Sequence, residues 1–177
     1  MELWLVRHGE TLWNREGRLL GWTDLPLTPE GEAQARRLRG LLPNLPAYSS
    51  DLKRALRTAE LAGFAPEATP ELREIHFGAL EGTLWEALDP LHKEALLRFQ
   101  GFHPPEGDTL EAFQERVFRF LEGLKAPAVL FTHGGVVRAV LRALGEDGLV
   151  PPGSAVAVDW PRRVLRKVPI DGGEASG

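Results

Sequence analysis

Three short runs carry the residue types that could do chemistry: Arg7-His8-Gly9, Ser50-Asp51-Leu52-Lys53-Arg54 and Thr132-His133-Gly134-Gly135. Two guanidinium groups suit a phosphoryl group, because each offers parallel N–H donors to two of its oxygens. No Walker-type glycine loop and no acidic cluster accompanies them, so magnesium assistance is not expected. The chain has no cysteine, which excludes thiolate attack, disulfides and thiolate zinc sites. Histidine remains as the nucleophile, since a neutral imidazole has a lone pair that can attack phosphorus. Arginines beside His8 would depress its pKa and keep it neutral. The chemistry read from these residues is attack by His8, a phosphohistidine intermediate and hydrolysis by water, with Arg7 holding the phosphate. A metal-dependent hydrolase using His8 and His133 as ligands is the competing reading, although no paired carboxylate or close His-x-His spacing supports it.

For this chemistry the three runs must meet. Residues 2–6 (ELWLV), 45–50 (LPAYSS) and 127–132 (PAVLFT) read as short buried strands, each leading into one run. Helical patterns follow at 51–61, closed by Gly63, and at 136–144, stopped by Gly145. Thr28 and Pro29 open another helix, with an apolar stripe through Ala35, Leu38 and Leu42. Helical stretches at 84–88 and 91–99 are interrupted by Pro90, and GFHPPEGD is loop. Thr109 caps the cleanest amphipathic pattern, through Leu110, Phe113, Val117, Leu121 and Leu124. AVAVDW and RVLRKV predict a terminal antiparallel hairpin whose exposed edge suits a homodimer, and residues 171–177 read as a disordered tail.

Strands alternating with helices predict an α/β fold: three layers, α/β/α, around a mostly parallel sheet. Parallel strands would bring the three runs to one sheet edge, off the carboxyl ends where ligands bind. No repeat or linker divides the chain, so residues 1–177 read as a single domain with a short helical cap insertion at about 75–108. Arg54 supports a purpose for that edge, because a cation in a helix's first turn is mildly unfavourable with the dipole.

Composition narrows the partners. A net charge of −4 argues against nucleic acid or an anionic membrane as a bulk partner. No apolar run reaches the roughly 18 residues that span a bilayer. Glu2 and the lack of a basic region before the first apolar run do not read as a signal peptide, so a cytoplasmic protein is expected. Arginine outnumbers lysine 17 to 4, as in thermophiles or GC-rich genomes.

Five segments in order, LVRHGETLWN, GWTDLPLTPEGEAQA, SSDLKRALRTAE, LREIHFGALEG and LFTHGGVVRAVL, resemble the histidine phosphatase superfamily, also called the phosphoglycerate mutase-like family. The resemblance runs from about residue 3 to residue 144 and implies that fold. It implies that His8 is phosphorylated, that Arg7, Arg54 and His133 form the phosphate pocket, and that Asn14 and Gly134 lie beside it. It also implies that Glu74 protonates the leaving oxygen and then deprotonates the attacking water. That role needs a raised pKa, from burial or a nearby phosphate. Glu71, Glu81 and Glu86 are its local rivals, while His76, His92 and His103 read as ordinary loop or surface residues. No cofactor and no metal are implied.

The family contains mutases and phosphatases. Where glycolytic mutases read Glu-Arg-His-Tyr-Gly, this chain has Glu74-Ile75-His76-Phe77-Gly78, without the polar substrate contacts. Between Ile75 and Asp108 the only cations are Lys93 and Arg98, so the long basic insertion of mutases is missing. Trp85, Phe99 and Phe102 in that segment either roof a pocket for a neutral or aromatic ester or belong to the core. LREIHFGALEG resembles α-ribazole phosphatase and broad-specificity relatives, with Leu80 replacing the usual tryptophan and GDT replacing GES. The resemblance therefore implies a metal-independent phosphomonoesterase acting on a small phosphate ester, with α-ribazole 5′-phosphate as a candidate. A phosphoglycerate mutase and a non-catalytic phosphate-ester scaffold are the alternatives.

Overall fold

The computed structural model describes residues 1–169; the tail expected to be disordered, 171–177, lies outside them. Four parallel strands, β1 (Glu2–Arg7), β2 (Ala47–Ser50), β3 (Glu67–Thr69) and β4 (Ala128–Thr132), are extended by an antiparallel hairpin, β5 (Ala155–Asp159) and β6 (Arg163–Val168). The described residues form one six-stranded sheet in the order β3-β2-β4-β1-β5-β6. Six helices accompany it: α1 (Leu12–Glu16), α2 (Pro29–Arg36), α3 (Lys53–Leu61), α4 (Pro90–Arg98), α5 (Leu110–Gly123) and α6 (Gly134–Ala143).

Side chains alternate across a strand, and here both sets are buried. Leu3, Leu5, Leu130, Val156 and Val158 pack on one face with the apolar stripes of α5 and α6. Trp4, Val6, Val129, Phe131, Ala155 and Ala157 pack on the other, with Leu38, Ala59 and Ala62 from the α2–α3 side. The result is the three-layer α/β/α arrangement. Every buried strand position works for one layer or the other, which explains the near-continuous apolar runs.

The expected elements shift in four places. Pro90 begins α4 rather than interrupting a helix: Asp89 caps it, accepting from the His92 N–H at 3.0 Å, and proline needs no N–H in the first turn. Residues 84–88 hold only a 3₁₀ turn, Trp85–Ala87. The helix opened by Thr28 ends at Arg36, after which i→i+3 bonds continue as turns that still bury Leu38. β3 and α1 have no counterpart in the sequence pattern; each is too short to show a period.

Register decides the rest. β2, β4 and β1 are adjacent and parallel, and Arg7 pairs with Thr132. The residues that follow, His8 and His133, therefore leave the sheet side by side, with the His8 N–H on the Thr132 carbonyl at 3.0 Å.

Candidate active site

The site lies off the carboxyl ends of β1, β2 and β4. His8 is buried, 3 % exposed, and its Nδ1 lies 2.7 Å from the Gly9 carbonyl oxygen. A carbonyl only accepts, so Nδ1 carries the proton and Nε2 holds the lone pair. Arg54 agrees with that assignment, since its Nε–H donates to His8 Nε2 at 3.3 Å. Burial first, then the Arg54 and Arg7 charges, hold the His8 pKa well below its ordinary value. The expected neutral imidazole is present, with burial rather than the arginines as the leading cause.

Arg54, fully buried, reaches the site from the first turn of α3. Its Nη1 and Nη2 donate to the carbonyls of Thr23 and Gly21, so the loop after α1 wraps its guanidinium. Burial lowers its pKa to about 10, with Glu74, Glu81 and Asp24 opposing, and it remains a cation at neutral pH. Arg7 donates from Nη1 to the Val150 carbonyl at 2.6 Å. Among the described residues, Arg7 Nε and His133 Nδ1 are the buried side-chain nitrogens with no protein partner. His133 packs edge-on against His8, ring centroids 5.1 Å apart, and starts α6.

Glu74 joins them from the irregular segment after β3. Its carboxylate accepts from the Gly135 N–H at 2.8 Å and from its own neighbour Ile75 N–H at 3.0 Å. Burial raises its pKa, against the lowering pull of those two bonds and of Arg54 and Arg7. Its backbone carbonyl accepts from Trp22 Nε1 at 2.7 Å and from Arg116 Nη2 at 3.3 Å. Gly134 and Gly135 let the Arg7 and Glu74 side chains approach the α6 backbone closely. A Cβ at 134 would sit 3.1 Å from the Arg7 guanidinium, and one at 135 would sit 2.1 Å from Glu74 Oε1.

Of the residues singled out, Arg7, His8, Arg54, Glu74, His133 and Gly134 come together. Asn14 completes a capping box on α1, its side-chain oxygen accepting from the Thr11 N–H at 2.9 Å. Glu81 is a loop anchor, accepting from the Gly21 and Thr23 N–H groups, while Glu71 and Glu86 are exposed. His103 is exposed, His92 pairs with Asp89, and His76 accepts from the Gly78 N–H. Sequence reasoning gave no role to Ser50, Gly135, Trp22 or Arg116. The paired glycines of THGG were the visible signal for Gly135, whereas Trp22 and Arg116 act through the Glu74 carbonyl and left none. Among the described residues no three His, Asp or Glu side chains are grouped to hold a metal ion, and no helix is long and apolar enough to cross a membrane.

Residues 3–151 match the model of the histidine phosphatase superfamily, branch 1. The chain belongs to that superfamily. A metal-independent phosphoserine phosphatase of Arabidopsis thaliana is 34 % identical over 158 residues, covering 78 % of this chain and 66 % of the relative. A 2,3-bisphosphoglycerate-dependent phosphoglycerate mutase of Gloeobacter violaceus is 34 % identical over 170 residues, 83 % of this chain and 76 % of that one. The crystal structure of a phosphoglycerate mutase from Thermus thermophilus superposes with a TM-score of 0.95 at 86 % identity, covering 97 % of this chain and all of that one (100 %). Histidine phosphatase superfamily members are thus similar to this chain under both names, phosphatase and mutase.

Beside Glu74 and Gly135 a cavity of about 420 Å³ opens. Ile75, Phe77, Trp85, Leu96 and Phe99 are among its walls, whereas Phe102 is wholly in the core. Its single guanidinium, Arg138, is spent: Nε and Nη2 bond the Asp147 carboxylate at 2.9 and 3.2 Å, and Nη1 and Nη2 cap the Leu96 and Leu97 carbonyls. The guanidinium also lies over the Phe99 ring, 4.6 Å from its centroid.

Proposed function

We propose that this histidine phosphatase superfamily member is a metal-independent phosphomonoesterase for esters whose alcohol portion is uncharged and largely apolar. The observation that carries the reading is the cavity beside Glu74: its walls are largely apolar, and the donors of its one lining guanidinium, Arg138, are taken up by the Leu96 and Leu97 carbonyls and by Asp147, a carboxylate shared with Arg142. A small polyanion would gain little there, and its carboxylate would lose water without a free cation to replace it. An apolar or aromatic body would gain by burial, about 25 cal/mol per Å². α-Ribazole 5′-phosphate is one ester of this kind.

The geometry supports the following steps. The phosphate sits against Arg7, Arg54 and the α6 N-terminus. As the Arg54 Nε–H exchanges His8 Nε2 for a phosphoryl oxygen, the freed Nε2 lone pair attacks phosphorus, and the ester P–O bond breaks as Glu74 gives its proton to the leaving oxygen. Positive charge developing on the ring is met by the Gly9 carbonyl at Nδ1–H. Glu74, now a carboxylate, takes a proton from water as the water attacks phosphorus and the P–N bond breaks. Inorganic phosphate leaves and His8 is neutral again.

A mutase reading uses the same phosphate site and is favoured by the names of several relatives. The separating experiment measures phosphate release from p-nitrophenyl phosphate, α-ribazole phosphate, phosphoserine, nucleoside monophosphates and 3-phosphoglycerate. It is run with chelator, with His8→Ala as control and with a parallel assay for 2-phosphoglycerate. Chelator-resistant release that ranks apolar esters first and vanishes in His8→Ala is the expected result. Isomerisation without release would establish the mutase, and silence on all esters would move the weight to a binding scaffold.

A further inference from the structure

We propose that Ser50 is a positioning residue whose hydroxyl locks His133 in the Nδ1–H tautomer, so that this N–H is presented to the phosphoryl oxygens. The consequence for turnover rests on the phosphohistidine reading above; the tautomer itself does not.

Ser50 is the last residue of β2, and His133 follows the last residue of its parallel neighbour β4. The two strand ends place Ser50 Oγ 2.8 Å from His133 Nε2. Both residues are 0 % exposed, so neither group can exchange this partner for bulk water. The hydroxyl has one proton and two lone pairs. One lone pair is engaged by the Leu52 N–H, whose nitrogen lies 3.3 Å from Oγ. Among the described residues the only other group bonded to that hydroxyl is His133 Nε2, so the Ser50 proton has an acceptor only if Nε2 is unprotonated. The proton therefore points at Nε2, which must present its own lone pair, and a neutral ring then carries its proton on Nδ1.

The opposite tautomer is worse at both ends. With Nε2 protonated, the Ser50 O–H would be left in the interior with no acceptor, an expensive state for a buried polar group. Nδ1 would then turn a bare lone pair toward the ligand side, where a phosphoryl oxygen needs a donor. Nδ1 is in fact the buried ring nitrogen without a protein partner, on a ring packed against His8. Burial, with Arg54, keeps His133 well below its ordinary pKa, so the ring is neutral and its tautomer matters.

Long-range ¹H–¹⁵N NMR on the full ¹⁵N-histidine-labelled protein, with His133 assigned by a His133→Asn variant, tests this. The wild type is expected to show a protonated Nδ1 and an unprotonated Nε2 at His133. Ser50→Ala should shift it toward Nε2–H and lower kcat about 10- to 100-fold. Ser50→Thr, which keeps the hydroxyl, should preserve the tautomer and most of the rate. An Nε2–H ring in the wild type would overturn the proposal. So would an unchanged Nδ1–H ring with unchanged kcat in Ser50→Ala. If the tautomer responds as expected while no ester is hydrolysed by the wild type, the positioning role stands and the phosphatase reading falls.

Discussion

Replacing Gly135 by alanine isolates the proton-transfer step. The added Cβ would lie 2.1 Å from Glu74 Oε1 and 2.9 Å from its Cδ. That is more than about 1 Å inside van der Waals separation, so the carboxyl must withdraw. The backbone of Gly135 is less free to move, because it belongs to the first turn of α6, packed on β1. A displacement of about 1 Å at a reacting group can cost about 10²-fold in rate, or about 2.7 kcal/mol. The fold should survive, since alanine is a better helix residue than glycine by up to about 1 kcal/mol. His8, Arg7 and Arg54 are untouched, so phosphate should still bind. The assay compares kcat for an alkyl phosphate and for p-nitrophenyl phosphate. The alkyl ester should lose about 100-fold, because its alkoxide needs the Glu74 proton. The nitrophenyl ester should lose much less, because nitrophenolate departs unprotonated. Equal losses on the two esters, or none on either, would refute Glu74 as the proton donor held by Gly135.

Three further outcomes follow from the same geometry. Alkyl-phosphate kcat should fall as pH rises through the raised Glu74 pKa, and Glu74→Gln should show a low rate without that alkaline limb. His8 and His133 stay neutral in the fold but protonate when unfolded near pH 6.5, so the unfolded state binds more protons in acid. Stability should therefore drop below that pH by about 1.4 kcal/mol per pH unit for each histidine, and urea midpoints for His8→Ala should show a shallower acid slope. Asp147→Asn, which removes the carboxylate held at a pKa of about 2 by Arg138, should favour esters bearing a carboxylate over neutral ones by about 5-fold in kcat/KM.

What was legible in the sequence was the part set by short-range rules. Strand ends, the Thr28 and Thr109 caps and parallel order are local or topological facts, and they suffice to bring Arg7, His8, Arg54 and His133 to one edge. Glu74 was legible through its motif alone. No periodicity surrounds it, and its burial comes from contacts far along the chain, with Gly135 and with Arg116 on α5. Ser50 was in view within its run, but a hydroxyl's role depends on the partner across the sheet, and sequence spacing does not encode a 2.8 Å approach between residues 83 apart. Pro90 is ambiguous because the same residue breaks a helix inside and starts one at its first position; the sequence reading takes the first meaning, and the Asp89 cap seen in the structure settles the second.

The cavity and the phosphate site draw on different parts of the chain. Arg7, His8, Arg54 and His133 stand on strand ends and helix starts that also carry the core. Trp85, Leu96, Leu97 and Leu149 line the cavity from α4 and the loops, and Leu97 and Leu149 are 62 % and 68 % exposed. Under the proposed function, exchanging them should alter which ester body fits while leaving in place the buried strand ends and helix starts that carry Arg7, His8, Arg54 and His133. Only Glu74 and Gly135 belong to both.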